Sequence, residues 1–203
     1  MAELVTARPI GLPDGPTEES GVGWIGLVML IVTEAALFGY LLFSYFYIGA
    51  SATLPWVLEA QPKLTLALPN TIILLVSSGF VWWGERSIRE GRTGAAMAGS
   101  GIALILGTIF AIIQVLEWKA KHYGPGTSSY ASLYFTTTAF HMAHVVVGLF
   151  VLLCMFVWTW RGYFGRTRRL AFTNGAYYWH FVDAVWLFVF FTYYITPYLG
   201  FGR

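Results

Sequence analysis

The sequence predicts an all-α membrane protein, a bundle of five transmembrane helices. Three observations predict it. Apolar side chains make up 57% of the 203 residues while only 11% are charged, against roughly a quarter charged in an ordinary soluble domain. The apolar residues gather into five runs of about 20 residues or more, the length needed to cross a bilayer. The runs are continuous rather than alternating, which excludes the ten-residue strands of a membrane barrel.

The first run covers about residues 22–48 and follows a Pro- and Gly-containing arm over 1–21. That arm lacks the basic start, short apolar core and small-residue cleavage site of a signal peptide. The second run spans about 64–86, with Pro69 expected in the first turn, where a missing N–H does no harm. The third spans about 95–118, the fourth about 131–160 and the fifth about 173–198. Short loops join them, which leaves one transmembrane domain over 22–203. No internal repeat is visible. Cys154 is the single cysteine, so an intrachain disulfide and a two-cysteine copper centre are excluded; it reads as a small buried hydrophobe.

Basic residues assign the sides. Arg8, Arg86, Arg89, Arg92, Arg161, Arg166, Arg168 and Arg169 fall on the N-terminal arm and the second and fourth loops. Lys63, Lys119, Lys121 and Arg203 fall on the other side. The positive-inside rule then puts the N-terminus in the cytoplasm and the C-terminus in the periplasm of a bacterial inner membrane. Trp24, Trp56, Trp82, Trp83, Trp118 and Trp160 lie near run ends, as interfacial anchors do. A net charge of +2 gives no reason to expect a nucleic-acid partner.

Few ionisable groups lie deep inside the runs: Glu34, Asp183, His141, His144 and His180. Such groups are costly in lipid and normally face the bundle interior in pairs. Counted from the run ends they sit near one depth, so a single buried polar cluster is expected to be geometrically accessible. The helical neighbours of Glu34 are Leu30, Ile31, Leu37 and Phe38. Glu34 therefore has no partner on its own helix, and burial disfavours its charged form; it is either neutral or met by another helix. His180 and Asp183, three apart, share a face, where the carboxylate is expected to accept the imidazole N–H. Glu117 lies beside Gln114 at the outer end of the third run. Two readings of the histidines remain open from the residues alone: structural hydrogen-bonding groups, or ligands of haem or copper. No phosphate-binding glycine loop, nucleophile elbow or zinc motif occurs.

The segment AYYWHFVDAVWLFVF (Ala176 to Phe190) resembles the last helix of subunit III of the haem–copper terminal oxidases, with Trp-His-Phe-Val-Asp as its most specific part. TTTAFHMAHVVVGLF (Thr136 to Phe150) resembles the preceding helix of that family. LIVTEAALFGYLLFSYF (Leu30 to Phe46) is similar to the helix carrying the family's buried Glu, LPNTIILLVSSG (Leu68 to Gly79) to the next, and IIQVLEW (Ile112 to Trp118) to the one after. The segments occur in the right order over nearly all of the chain beyond the first 20 residues.

The resemblance implies a subunit of an enzyme complex with no redox centre, metal or catalytic residue of its own. Haem and copper would lie in subunit I, against which this chain would pack directly, supporting its proton uptake, with subunit II and small subunits in the same complex. The parent complex would reduce oxygen to water and move protons. The resemblance carries the buried polar positions onto Glu34, His141, His144, His180, Asp183 and Glu117, and implies bound membrane phospholipid, for which Arg161 is a candidate contact. It also implies that His141 and His144 are internal hydrogen-bonding groups. The mitochondrial form has two further N-terminal helices; five helices match the bacterial type, including quinol oxidases. Accessory subunits of nitric oxide reductases share the shorter pattern, and a free-standing haem carrier or a small transporter are the alternatives from other classes.

Overall fold

A computed structural model describes residues 22–52, 55–58, 62–165 and 168–202. The arm over 1–21, Arg166 and Arg203 lie outside the described residues. The described chain forms α1 (Val22–Ser51), α2 (Leu64–Arg89), α3 (Thr93–Ala120), α4 (Ser129–Trp160) and α5 (Leu170–Phe190), and α5 runs on into one π-helical turn, Phe191–Ile195. At about 1.5 Å per residue even α5 measures about 30 Å. α1 to α4 are longer than the apolar runs, because their polar end turns keep their own hydrogen bonds beyond the hydrocarbon, whereas α5 begins before its run and gives way to the π-helical turn before the run ends. No strand occurs among the described residues.

Four helices, α1 to α4, are long and apolar enough to cross a membrane. The fifth is the exception in composition, and packing explains it. α5 contacts α1, α2 and α4, and its Phe172, Ala176, Trp179, Val182, Asp183, Trp186 and Val189 are buried. A helix shielded by its neighbours need not be apolar all round, so it tolerates Asn174, His180 and Asp183. α1 is the opposite case. Only Phe38, Leu41 and Tyr45 are buried on it, and its exposed positions include Ile25, Met29, Val32, Phe43 and Tyr47. A helix that is hydrophobic on every face belongs in lipid.

The polarity of the bundle is inverted relative to a soluble protein. Asn70, Thr71, Ser77, Ser100, Gln114, Thr137 and His141 are buried, while Leu, Ile, Val and Phe side chains cover the outside. Two tryptophans tie α5 to α2: Trp179 Nε1 donates to Ser77 Oγ at 3.0 Å and Trp186 Nε1 to Thr71 Oγ1 at 3.0 Å. Both indoles thus satisfy their only donor inside the bundle. Small residues let backbones close up. A Cβ on Gly99 would lie 2.7 Å from the Phe80 carbonyl and 3.0 Å from Gly84 Cα, so α2 and α3 meet as only glycines allow.

The end of the bundle opposite the arginine-rich turns is closed by aromatic side chains. Tyr45 packs on Trp56, Tyr193 and Phe201, with ring centroids 4.7, 4.9 and 5.6 Å away. Trp56 and Val57 donate their backbone N–H groups to the Gly202 carbonyl at 2.9 and 3.1 Å, pinning the α1–α2 loop to the chain end. Trp56 is therefore a buried core residue rather than the exposed anchor its place in the sequence suggests; Trp82 and Trp160 remain exposed.

Candidate functional site

The polar residues singled out above do not form one cluster. Among the described residues no three His, Cys, Asp or Glu side chains come close enough to share an ion. They separate into four places, because each helix presents its polar residue to a different neighbour.

The first place is a groove between α1 and α4. Glu34 Oε2 lies 3.0 Å from His144 Nε2. The ring's other nitrogen donates to the Phe140 carbonyl at 2.7 Å. Because a carbonyl only accepts, Nδ1 carries a hydrogen, and this fixes what Nε2 can do. Either Glu34 is protonated and donates to a neutral ring, or the ring is protonated and donates to a carboxylate. Both states hold one proton on a single hydrogen bond. Thr33, just before Glu34, turns its hydroxyl back onto the Leu30 carbonyl at 2.8 Å, so it does not compete for His144. Leu30, Ala143, Val147 and Tyr178 complete a groove of about 260 Å³. The Phe38 ring lies edge-on to His144, 5.2 Å away.

The second place is the core. His141 is 1% exposed and its Nε2 donates to the Val182 carbonyl on α5 at 3.2 Å. Its ring is packed 4.8 Å from Trp186 and 6.0 Å from Phe110. Nδ1 has no hydrogen-bond partner among the described residues.

The third place corrects the expected His180–Asp183 pair. His180 Nδ1 is 2.5 Å from Ser78 Oγ on α2, and neither Asp183 oxygen has a hydrogen-bond partner among the described residues. The Ser78 hydroxyl faces Asp183 as well, without reaching it in hydrogen-bond geometry. A spacing of three put the two side chains on neighbouring turns of one face, but the hydroxyl from α2 reaches the imidazole first. Asp183 is instead buried against the bundle interior, 4% exposed.

The fourth place is the far end of α3. Tyr194 donates to Glu117 Oε1 and shares a second hydrogen bond, 3.0 Å, with the Tyr134 hydroxyl. Lys121, one turn on from Glu117, sits 3.9 Å from Oε1 and 5.1 Å from the Tyr134 ring centroid. Both side chains of this ion pair are buried. The π-helical turn makes the arrangement possible: its wider winding brings the adjacent Tyr193 and Tyr194 both onto α4, where Tyr193 meets Thr137 at 3.0 Å. One signal for this place lies in the sequence, the Glu117–Lys121 spacing of four; Tyr194, Tyr134 and Ser78 carry none. Arg161 ends α4 exposed to the outside, and its side chain makes no hydrogen bond or ion pair among the described residues.

Comparison with known proteins fits this layout. A family model described as cytochrome c oxidase subunit III matches residues 16–198. The chain belongs to the cytochrome c oxidase subunit III family. The chain is 34% identical over 174 residues to cytochrome c oxidase subunit 3 of Synechocystis sp., covering 84% of this chain and 74% of that protein. It is 32% identical over 181 residues to the Anopheles gambiae protein of the same name, covering 86% and 69%, and 30% identical over 186 residues to that of Coturnix japonica, covering 88% and 71%. The matched residues span all five helices of this chain, so Glu34, His141, His144, His180, Asp183 and Glu117 all fall within them.

Proposed function

We propose that this chain acts as the non-catalytic third subunit of a haem–copper terminal oxidase, packing on subunit I, stabilising it and supporting its proton uptake during the reduction of oxygen to water. Membership in the subunit III family supports the coarser part, a subunit of an oxidase complex that contains subunit I. The haem and copper chemistry belongs to that partner, and the electron donor, cytochrome c or quinol, is set by other subunits of the complex. The arginine-rich turns, with Arg86 and Arg89 in the last turn of α2 and Arg92 just beyond it, and Arg161, Arg168 and Arg169 after α4, face the cytoplasm by the positive-inside rule. The membrane is then the bacterial inner membrane.

One observation carries the functional reading, the Glu34–His144 hydrogen bond. A pair that holds one proton between a carboxyl and an imidazole, at the depth of the hydrocarbon and open to a groove, takes up or releases that proton with little rearrangement. Structural pinning alone would need only the hydrogen bond. Glu34→Gln separates the two, because the amide donates to His144 Nε2 but cannot pass a proton. In the assembled oxidase we expect Glu34→Gln to leave subunit stoichiometry intact and to shorten the catalytic lifetime or lower proton-coupled turnover. Unchanged turnover and lifetime would reduce the pair to a helix fastener.

A further inference from the structure

The core of the bundle carries polar side chains that the Glu34–His144 pair does not use. Asn70 on α2, Gln114 on α3 and His141 on α4 are 0%, 0% and 1% exposed. Asn70 Nδ2 donates to the Phe110 carbonyl at 3.3 Å, and His141 Nε2 donates to the Val182 carbonyl at 3.2 Å. The other polar atoms of these three side chains are Asn70 Oδ1, Gln114 Oε1, Gln114 Nε2 and His141 Nδ1. None of them has a hydrogen-bond partner among the described residues.

These atoms converge on one turn of α3. α2 and α3 run antiparallel, in a register set at one end by Gly84 against Gly99 and farther along by Asn70 against Phe110. A helical side chain leans back over the turn before its own Cα. Gln114 therefore lies over the turn that begins at Phe110, beside Asn70. His141 reaches the same turn from α4, its ring centroid 6.0 Å from that of Phe110. Trp186 closes the site from α5, with ring centroids 5.0 Å from Phe110 and 4.8 Å from His141.

The donors and acceptors there do not match. Asn70 Oδ1 and Gln114 Oε1 only accept, and with the ring hydrogen on Nε2 the Nδ1 of His141 accepts as well. The Gln114 amide has two N–H hydrogens, but it cannot serve its own oxygen in any rotamer. Thr71, next to Asn70, donates to the Ala67 carbonyl at 2.8 Å and accepts from Trp186. Thr138, one turn before His141, donates to the Tyr134 carbonyl at 2.7 Å and accepts from Trp118. Neither hydroxyl supplies the missing hydrogen. Buried polar groups are nearly always hydrogen-bonded. What fits is small, closed in by aromatic rings, and able both to donate and to accept. An ammonium ion only donates and a simple anion only accepts; water does both.

We propose that the Phe110–Gln114 turn is an internal water site. Water donates to Asn70 Oδ1, Gln114 Oε1 and His141 Nδ1 and accepts from Gln114 Nε2. Buried waters typically make about three such bonds. The water ties α2, α3 and α4 together at one level of the core. The site shares no residue with the Glu34 groove and stands whether or not that pair carries a proton.

The test is X-ray radiolytic labelling of the intact complex in mild detergent, in which a water held beside a ring oxidises it even where bulk solvent does not reach. The complex is mixed with heavy-oxygen water immediately before exposure. Phe110, His141 and Trp186 are expected to be oxidised with ordinary oxygen, from water already in place. Trp179 is the control: it is 0% exposed and packed so closely that a Cβ on Gly107 or Gly148 would lie 2.6 or 2.7 Å from its ring. It is expected to stay unlabelled. No oxidation at Phe110, His141 and Trp186 overturns the site. Heavy oxygen there as fast as at the exposed Trp82 overturns a held water in favour of bulk solvent entering the bundle. Gln114→Leu removes the amide donor and acceptor together and is expected to lower labelling of Phe110 and His141 to the level of Trp179. Undiminished labelling in the assembled variant overturns the role given to Gln114. Should the variant fail to assemble, the wild-type labelling decides alone.

Discussion

Glu34 on α1 and His144 on α4, 110 positions apart in sequence, meet at 3.0 Å through Oε2 and Nε2. Among the described residues this is the one polar tie between α1 and the rest of the bundle at mid-depth, on a helix with only three buried side chains. Removing the carboxyl without replacing its hydrogen bond leaves the imidazole nitrogen facing an apolar groove, a loss of about 1–3 kcal/mol for a buried unsatisfied group. Glu34→Leu is expected to lower the thermal stability of the detergent-solubilised complex by that order and to loosen α1, read as faster proteolysis at the α1–α2 loop. Glu34→Gln is expected to hold within about 0.5 kcal/mol of wild type. Equal destabilisation by both would show that the hydrogen bond is not what holds α1.

Trp179 is wedged between α3 and α4. A Cβ on Gly148 would lie 2.7 Å from the indole ring and one on Gly107 2.6 Å from it. The indole cannot retreat, because Nε1 is tied to Ser77 at 3.0 Å. Gly148→Ala is therefore expected to destabilise by about 1–3 kcal/mol through overpacking, measured by thermal unfolding in detergent. Gly79→Ala is the control. Nothing lies within 4 Å of its added methyl, so a helix-favouring substitution there is neutral or stabilising by up to about 1 kcal/mol.

What the sequence disclosed and what it withheld follow from the difference between depth and rotation. Hydropathy and length locate helices along the chain, and counting residues from a helix end gives depth, which is why Glu34 and His144 were expected at one level. Rotation about each axis decides which side chains meet, and α1 offers no apolar face to set it because every face is apolar. Hence Glu34 was legible as a residue that needs a partner, but the partner was not. His180 shows the converse error. Local spacing favoured Asp183, and the decisive neighbour, Ser78, came from a helix 102 positions away. The π-helical turn before Pro197 was invisible as well, since it depends on Tyr193 and Tyr194 both finding hydroxyl partners across α4.

Tyr194 joins Glu117 to Tyr134, and its hydroxyl links the end of α3 to the π-helical turn. Tyr194→Phe keeps the ring and the cation–π contact with Lys121, whose Nζ lies 5.7 Å from its centroid, but removes a hydrogen bond to a carboxylate, worth about 1.5–3 kcal/mol. Tyr193→Phe removes only a neutral bond to Thr137, worth about 0.5–1.5 kcal/mol. The expected order of thermal stability is wild type, then Tyr193→Phe, then Tyr194→Phe. The reverse order would mean that the carboxylate at Glu117 is not held through the tyrosine.

Glu90 gives a pH-dependent feature outside the membrane. The hydrogen bond from Arg86, with Arg92 beside it, holds the Glu90 carboxyl below the ordinary carboxylate range. A carboxyl whose folded-state value is depressed contributes order that is fully present above its unfolded value, about 4.3 for Glu, and is lost as pH falls through the lower folded value. The α2–α3 turn, built on Gly91 with φ of 80°, is thus expected to stay clasped from neutral pH to about 4 and to open below it. Limited proteolysis at Arg92 across an acid series reads this directly. Glu90→Gln, which cannot ionise, is expected to show the open-turn cleavage rate at every pH, and a pH-independent clasp in the wild-type protein would remove the role assigned to Glu90.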